Sequence, residues 1–198
     1  WEVPAFVHLP LLRNPDKSKL SKRKNPTSIF HYRDAGYLPE ALANYLGMMA
    51  YTLPDQREIF SMTEMAETFD LTRMSLGGPV FDVAKLKWLN GRYLREKLTP
   101  EDVLTRLREW KLNDNFLGNI LPLALQRLET FSDFVPLASF LFAERVSVDA
   151  DALAGKLEPD EAARLLKVAE WEFEKLVEWT DEAIGAVFSR ISEGEDRK

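Results

Sequence analysis

The chain has no cysteine, and among its 198 residues there are only two histidines and nine glycines. Without cysteine it can form neither a disulfide nor a thiolate metal site, which fits a reducing cytoplasm. The glycines form no glycine-rich phosphate loop, and neither His8 nor His31 has neighbours that suit a metal site. We expect His8 to be packed or hydrogen-bonded in the structure. The sequence therefore predicts no metal site.

Long apolar runs are also missing. None approaches the roughly 20 residues that a bilayer-spanning helix needs, and no basic n-region of a signal peptide follows Trp1. We therefore expect a cytoplasmic protein without a membrane anchor.

Positive charge is unevenly distributed. Residues 1–99 contain 14 Lys+Arg against 11 Asp+Glu, whereas residues 100–198 contain 12 against 21. The net charge of -6 therefore arises in the second half, and a polyanion should meet the first half or local basic faces of the second.

One run, from Arg13 to Lys24, concentrates basic residues around the stretch Lys-Leu-Ser-Lys-Arg at Lys19–Arg23. It follows a turn signal at Asn14-Pro15-Asp16 and has no sustained helical period, so we expect a loop. Mobile cations on such a loop can reach phosphate oxygens. On composition alone, a solvated basic loop remains the commoner explanation.

Helix-start signals dominate the rest of the chain. They comprise proline at a first helical position (Pro39, Pro100 and Pro159), a capping box at Ser61-x-x-Glu64 and a cap at Asp82. They predict helices from Pro39, after Ser61 to Phe69, from Asp82, from Thr99, over Leu117–Leu128 and Phe131–Phe142, from Pro159 to Trp179, and from Thr180 to Ile191.

The fold class predicted from these helices is mostly α. A small α/β module at residues 1–81 would precede an α-helical bundle at residues 82–198. The helical spacing also predicts core positions for five aromatic residues, which are Trp88, Tyr93, Trp110, Trp171 and Trp179.

The stretch Lys19–Arg23 resembles the second class I synthetase signature, Lys-Met-Ser-Lys-Ser, in its glutamyl variant. The stretches at His8–Ile29, Phe30–Tyr51 and Phe69–Leu94 are similar to the bacterial glutamyl-tRNA synthetase family and occur in the same order. A match of this length is far more specific than five residues alone.

This resemblance implies an enzyme that joins ATP and glutamate into glutamyl-adenylate and then charges tRNA-Glu, with Mg2+ on the ATP. It implies that Lys22 contacts the phosphates, that Lys19 assists, and that Leu20 lies near the adenine. Ser21 and Arg23 would complete the ATP-binding loop. Residues 1–81 would include a module that contacts the tRNA stem, and residues 82–198 would begin an anticodon-binding domain.

Basic residues in the helical half are the predicted tRNA contacts. Lys85, Lys87, Arg92 and Arg95 cluster around one helix, where a solvated face is the ordinary alternative. Arg127 lies where the family offers an arginine for reading an anticodon base. An arginine suits that role because its planar fork can bond and stack on a base.

The family's other signature, His-x-Gly-His, is missing. We therefore expect a fragment of the ligase that is inactive alone, holds no bound cofactor, is monomeric and binds neither DNA nor membrane. A free-standing helical tRNA- or protein-binding module is the alternative. A glutaminyl enzyme would carry a β-barrel anticodon part, and a truncated tRNA-modifying paralogue would lack the helical half.

Overall fold

A computed structural model describes residues 1, 3–4, 6–20, 27–75 and 77–195, with side chains described as far as residue 192. The chain forms two compact units, Trp1–Arg145 and Val146–Lys198. The described residues are mostly helical, which confirms the predicted fold class. The predicted boundary after residue 81 falls inside the first unit and stays a prediction.

The first unit begins with four helices: α1 (Ile29–Asp34), α2 (Pro39–Ala50), α3 (Met62–Thr68) and α4 (Val83–Glu96). Local signals explain where α3 and α4 start. The predicted capping box of α3 is present, because Ser61 accepts from the Glu64 backbone while Glu64 accepts from that of Ser61. At α4 the Asp82 carboxylate accepts the backbone N–H groups of Ala84 and Lys85 at 2.8 and 3.1 Å, and these bonds satisfy amides that lack a partner within the helix.

Three more helices complete the first unit: α5 (Pro100–Trp110), α6 (Asp114–Leu125) and α7 (Phe134–Phe142). The helix predicted at Leu117–Leu128 was wrong at both ends. It starts earlier, because Asn113 accepts from the Phe116 backbone and caps α6, and it ends at Leu125. The helix predicted from Phe131 begins as a 3-10 turn and becomes α-helical at Phe134.

The second unit contains α8 (Ala150–Ala154), α9 (Pro159–Glu174) and α10 (Asp181–Glu195). The helix from Pro159 was predicted to reach Trp179 but ends five residues earlier, and α8 was not predicted at all. No helix in the described part of the chain is long and apolar enough to cross a membrane.

The core lies between α2 and α4. Its buried residues are Tyr32, Leu38, Ala41, Tyr45, Phe81, Leu86, Leu89 and Tyr93. Asn44, which is fully buried, links this core to a smaller cluster around Phe60. Its Oδ1 accepts the Phe60 N–H at 3.1 Å and the Tyr93 hydroxyl at 2.8 Å. Because this buried oxygen accepts both hydrogen bonds, Asn44 fixes how α2 and α4 pack.

Extended structure is limited to isolated bridges in the described residues, and no β-strand forms among them. Arg13 pairs with Lys19 and with Val80, and Tyr51 pairs with Met74. The first module is therefore a helical unit in which short extended segments hold the loops.

Several aromatic side chains are not where the helical spacing predicted them. Tyr93 is buried, but Trp88, Trp171 and Trp179 are 41%, 62% and 65% exposed, so their predicted core positions were wrong. Trp179 stacks on Phe173 with ring centroids 5.6 Å apart. A large aromatic ring can bury part of its surface through such local contacts without entering the core.

Candidate phosphate-binding loop and nucleic-acid interface

The predicted turn at Asn14-Pro15-Asp16 is present and closes a tight hairpin. The Asn14 N–H donates to the Ser18 carbonyl at 2.8 Å, and the Lys17 N–H donates to the Asn14 carbonyl at 2.8 Å. Lys17 has a φ of 63°, in the left-handed region that a side chain with a Cβ rarely adopts. The hairpin turns the chain back toward Arg13 just before the signature stretch begins.

Both arms of this hairpin are held by the core. The Arg13 N–H donates to the Pro79 carbonyl at 2.9 Å, and the Phe81 N–H donates to the Arg13 carbonyl at 2.8 Å. On the other arm the Leu20 N–H donates to the Leu12 carbonyl at 3.0 Å, and the Leu20 side chain packs against the core. The predicted contact of Leu20 with adenine stays a prediction.

Lys19 is exposed at the point where the hairpin ends. Lys19, Lys17 and Arg13 form no ion pair with any residue of the described chain. Their charges are therefore available to an anion such as a polyphosphate. Ser21, Lys22 and Arg23 lie outside the described residues, so their roles stay predictions.

The predicted tRNA contacts on α4 are mostly occupied by carboxylates. Lys85 Nζ lies 2.6 Å from a Glu58 carboxylate oxygen, and Arg92 forms two bonds of 2.7 Å with Glu96. Both cations also lie over the ring of Trp88, at 4.0 and 5.3 Å from its centroid. This cluster is a neutralised surface network, in which only the pair Arg92–Glu96 follows helical spacing.

Lys87 is also paired, and its partner connects distant parts of the first unit. Glu144 accepts from Lys87 Nζ at 3.1 Å and from the Tyr37 hydroxyl at 3.2 Å. The hydrogen bond from Lys87 holds the pKa of Glu144 below its ordinary value, and burial with the nearby carboxylate raises the pKa of Tyr37 to about 12. Arg95, in contrast, is exposed and has no ion pair among the described residues.

Arg127 is exposed just after α6. It lies at the edge of a cavity of about 460 Å³ between α6 and α7. The other lining residues are mostly apolar: Ile120, Leu123, Ala124, Gln126, Leu137, Ala138, Phe140 and Leu141. Arg127 forms no ion pair with another described residue, and its predicted contact with an anticodon base stays a prediction.

The described residues contain no group of three or more His, Asp or Glu side chains that could hold a metal ion. His31 is half-buried, with its ring edge-on to Tyr32 at 5.2 Å between centroids. His8 is exposed, which contradicts a packed position, and the alternative of a hydrogen-bonded His8 stays a prediction. The described residues therefore do not fit a protein-held Mg2+ site.

Two family models together match most of the chain. The model of the anticodon-binding domain matches residues 96–198, and the model of the catalytic domain of class I tRNA synthetases (E and Q) matches residues 1–88. The anticodon-binding model covers more than half of the chain, so the chain belongs to that family, and residues 1–88 are similar to the catalytic domain of class I tRNA synthetases.

Curated proteins similar to this chain include bacterial glutamate–tRNA ligases. The ligase of Saccharophagus degradans is 48% identical over 98% of this chain, and that of Cellvibrio japonicus is 50% identical over 98%. This chain spans 39% and 38% of their respective lengths. A crystal structure of a glutamate–tRNA ligase from Elizabethkingia meningosepticum, in complex with its amino acid, is 28% identical. It aligns over 99% of this chain and 43% of its own, with a TM-score of 0.49.

Proposed function

We propose that this chain is part of a glutamate–tRNA ligase. The parent enzyme would join glutamate to the α-phosphate of ATP, releasing pyrophosphate, and then transfer the glutamyl group to the 3' end of tRNA-Glu. The observation that carries this proposal is the position of Lys19. The Lys19 side chain is exposed and forms no ion pair in the described chain. It stands at the start of a stretch that resembles the synthetase signature.

The loop would act through charge. As the bond between the α-phosphorus and the bridging oxygen breaks, negative charge grows on the departing pyrophosphate, and cations placed there stabilise it. Lys22 would take this position, Lys19 would assist, and Leu20, Ser21 and Arg23 would complete the ATP contacts. Class I tRNA synthetases in general use ATP with Mg2+. Because the described residues do not fit a Mg2+ site, the ion would arrive on the ATP.

The remaining surface would bind tRNA-Glu. Residues 1–81 would supply the loop and the stem contacts, and residues 82–198 would supply the first part of the anticodon-binding domain. Arg95 and Arg127 are the strongest candidates for tRNA contacts, because Lys85, Lys87 and Arg92 already have carboxylate partners. The parent would work as a cytoplasmic monomer that binds neither DNA nor membrane.

Pyrophosphate exchange with ATP and glutamate tests this function. The purified 198-residue chain should show no exchange, whereas the full-length protein should show it. In the full-length protein Lys22→Ala should lower the exchange rate about 100-fold or more. Lys24→Ala is the matched control, because it removes the same charge from the same run outside the signature. Exchange by the isolated chain, or equal losses in both variants, would contradict the proposal.

The described part of residues 96–195 is helical and contains no strand, which disfavours a glutaminyl enzyme with a β-barrel anticodon part. The alternative of a free-standing helical binding module predicts that no His-x-Gly-His nucleotide-binding domain is encoded upstream. Sequencing the coding region separates the two hypotheses.

A further inference from the structure

Asn14 is buried in the turn that precedes the signature stretch, with only 3% of its surface exposed. Its side-chain Nδ2 donates to the Ser18 hydroxyl at 2.9 Å and to the Lys19 carbonyl at 3.1 Å. An amide group has two N–H donors, so both are used within the hairpin. Asn14 therefore ties the backbone of Lys19 directly to the buried side of the turn.

The carboxylate of Asp16 extends this network on the exposed side. Asp16 accepts the Ser18 N–H at 2.9 Å and also the Ser18 hydroxyl. The Ser18 hydroxyl thus accepts a hydrogen bond from Asn14 and donates one to Asp16. Between them, Lys17 is held in its left-handed conformation, which costs free energy and persists only when its surroundings determine it.

The neighbouring segment around Gly78 and Val80 restricts rearrangement of this turn. The Arg13 side chain lies against Gly78, where an added Cβ would come within 2.6 Å of Arg13 Nε. Because Arg13 is bonded on both sides to the segment Pro79–Phe81, the first arm of the hairpin cannot slide along it. The position of Lys19 then depends on the second arm, which Asn14 holds.

We propose that Asn14 is a positioning residue for the phosphate-binding loop. Its side-chain amide fixes the backbone of Lys19 and thereby sets the position and direction of the Lys19 side chain. Asn14 does not itself touch ATP. The inference rests on the proposed function, because it assigns to Lys19 a role at the ATP phosphates.

The first test follows the hairpin in the 198-residue chain by amide hydrogen exchange. Asn14→Ala should speed exchange at the Leu20 amide about tenfold, since that amide is bonded to Leu12 across the hairpin. The matched control is Asn90→Ala, which removes a buried amide that accepts the Leu38 N–H at 2.8 Å. Unchanged exchange at Leu20, or the same acceleration in both variants, would overturn the inference.

The second test measures pyrophosphate exchange by the full-length protein. Asn14→Ala should lower kcat/KM for ATP about 10- to 100-fold, because small misplacements of a catalytic group are costly, while the KM for glutamate stays unchanged. If Asn14 acts through Lys19, the double variant Asn14→Ala/Lys19→Ala should be no slower than Lys19→Ala alone. Fully additive losses would overturn the positioning role.

Failure of the proposed function would look different. If the full-length protein showed no pyrophosphate exchange at all, the proposed function would fall. If exchange was present but Lys19→Ala left its rate unchanged, then Lys19 would have no role at the phosphates, and only the inference about Asn14 would fall. If Asn14→Ala did not fold, Ser18→Ala would replace it, since it removes only one of the two Asn14 bonds. A smaller change in the same two measurements is then expected, and no change in either would overturn the inference.

Discussion

Gly36 illustrates what a single residue contributes at the end of α1. It has a φ of 84°, and an added Cβ would meet the Trp110 ring at 3.4 Å. Trp110 in turn donates its indole N–H to the Asp34 carbonyl at 2.8 Å, so it cannot move away freely. We expect Gly36→Ala to lower the free energy of unfolding by about 1–2 kcal/mol, measured by urea denaturation.

Gly118 provides the matched control. It lies inside α6 with nothing within 4 Å of the position that an added Cβ would take. Gly118→Ala should therefore raise the free energy of unfolding by about 0.5–1 kcal/mol, since alanine loses less conformational entropy in a helix. Equal effects of the two substitutions would show that the conformation of Gly36 is not what matters.

Three elements of the first unit meet at Glu144, which follows α7. Lys87 on α4 and Tyr37 just before α2 both donate to it. Because Glu144 has a pKa below its ordinary 4.5, the stability that it contributes is present above that value and is lost as the pH falls through the folded-state pKa. For Tyr37 the pKa is raised to about 12, so its contribution is present below 10.0 and is lost as the pH rises toward 12.

Urea denaturation across pH tests this junction. Glu144→Gln should make the free energy of unfolding less dependent on pH below about 4.5. Tyr37→Phe should lower it by about 1 kcal/mol near neutrality, through the lost hydrogen bond, and should remove part of the alkaline loss. If both variants kept the wild-type pH profile, the junction at Glu144 would not contribute to stability.

The sequence predicts the starts of helices better than their surroundings. Asp82, Ser61 and Thr99 were identified as caps because a cap depends only on residues a few positions along the chain. The short helices α1 and α8, of six and five residues, have no apolar period and were missed. The exposure of Trp171 could not be predicted either, because helical spacing does not show which face of a helix packs against the rest of the chain.

The same limit applies to the candidate site. The Asn14-Pro15-Asp16 turn was predicted from its residues, but the amide bonds that hold Lys19 require the folded hairpin. The pairing of Lys85 with Glu58 spans 27 residues, and that of Lys87 with Glu144 spans 57. Such pairs depend on tertiary packing. The sequence alone therefore does not show that these cations of α4 have carboxylate partners.

At the scale of the whole molecule, an acidic chain with a net charge of -6 and a pI near 5.1 should bind tRNA only through local basic groups. We expect the affinity of the 198-residue chain for tRNA to fall steeply between about 50 mM and about 200 mM salt, because bound cations release counterions from the phosphates. A filter-binding or fluorescence titration at several salt concentrations measures the slope of log K against log salt.

Two arginines on α4 make the test specific. Arg95→Ala should reduce that slope by about 1, since its guanidinium is exposed and has no ion pair in the described chain. Arg92→Ala should leave the slope nearly unchanged, because Arg92 is already bound to Glu96 by two hydrogen bonds of 2.7 Å. Equal slopes for the two variants would show that the ion pairs of α4 do not decide which cations meet the tRNA backbone. Binding that is absent or independent of salt would instead mean that the tRNA-binding surface requires the rest of the parent enzyme.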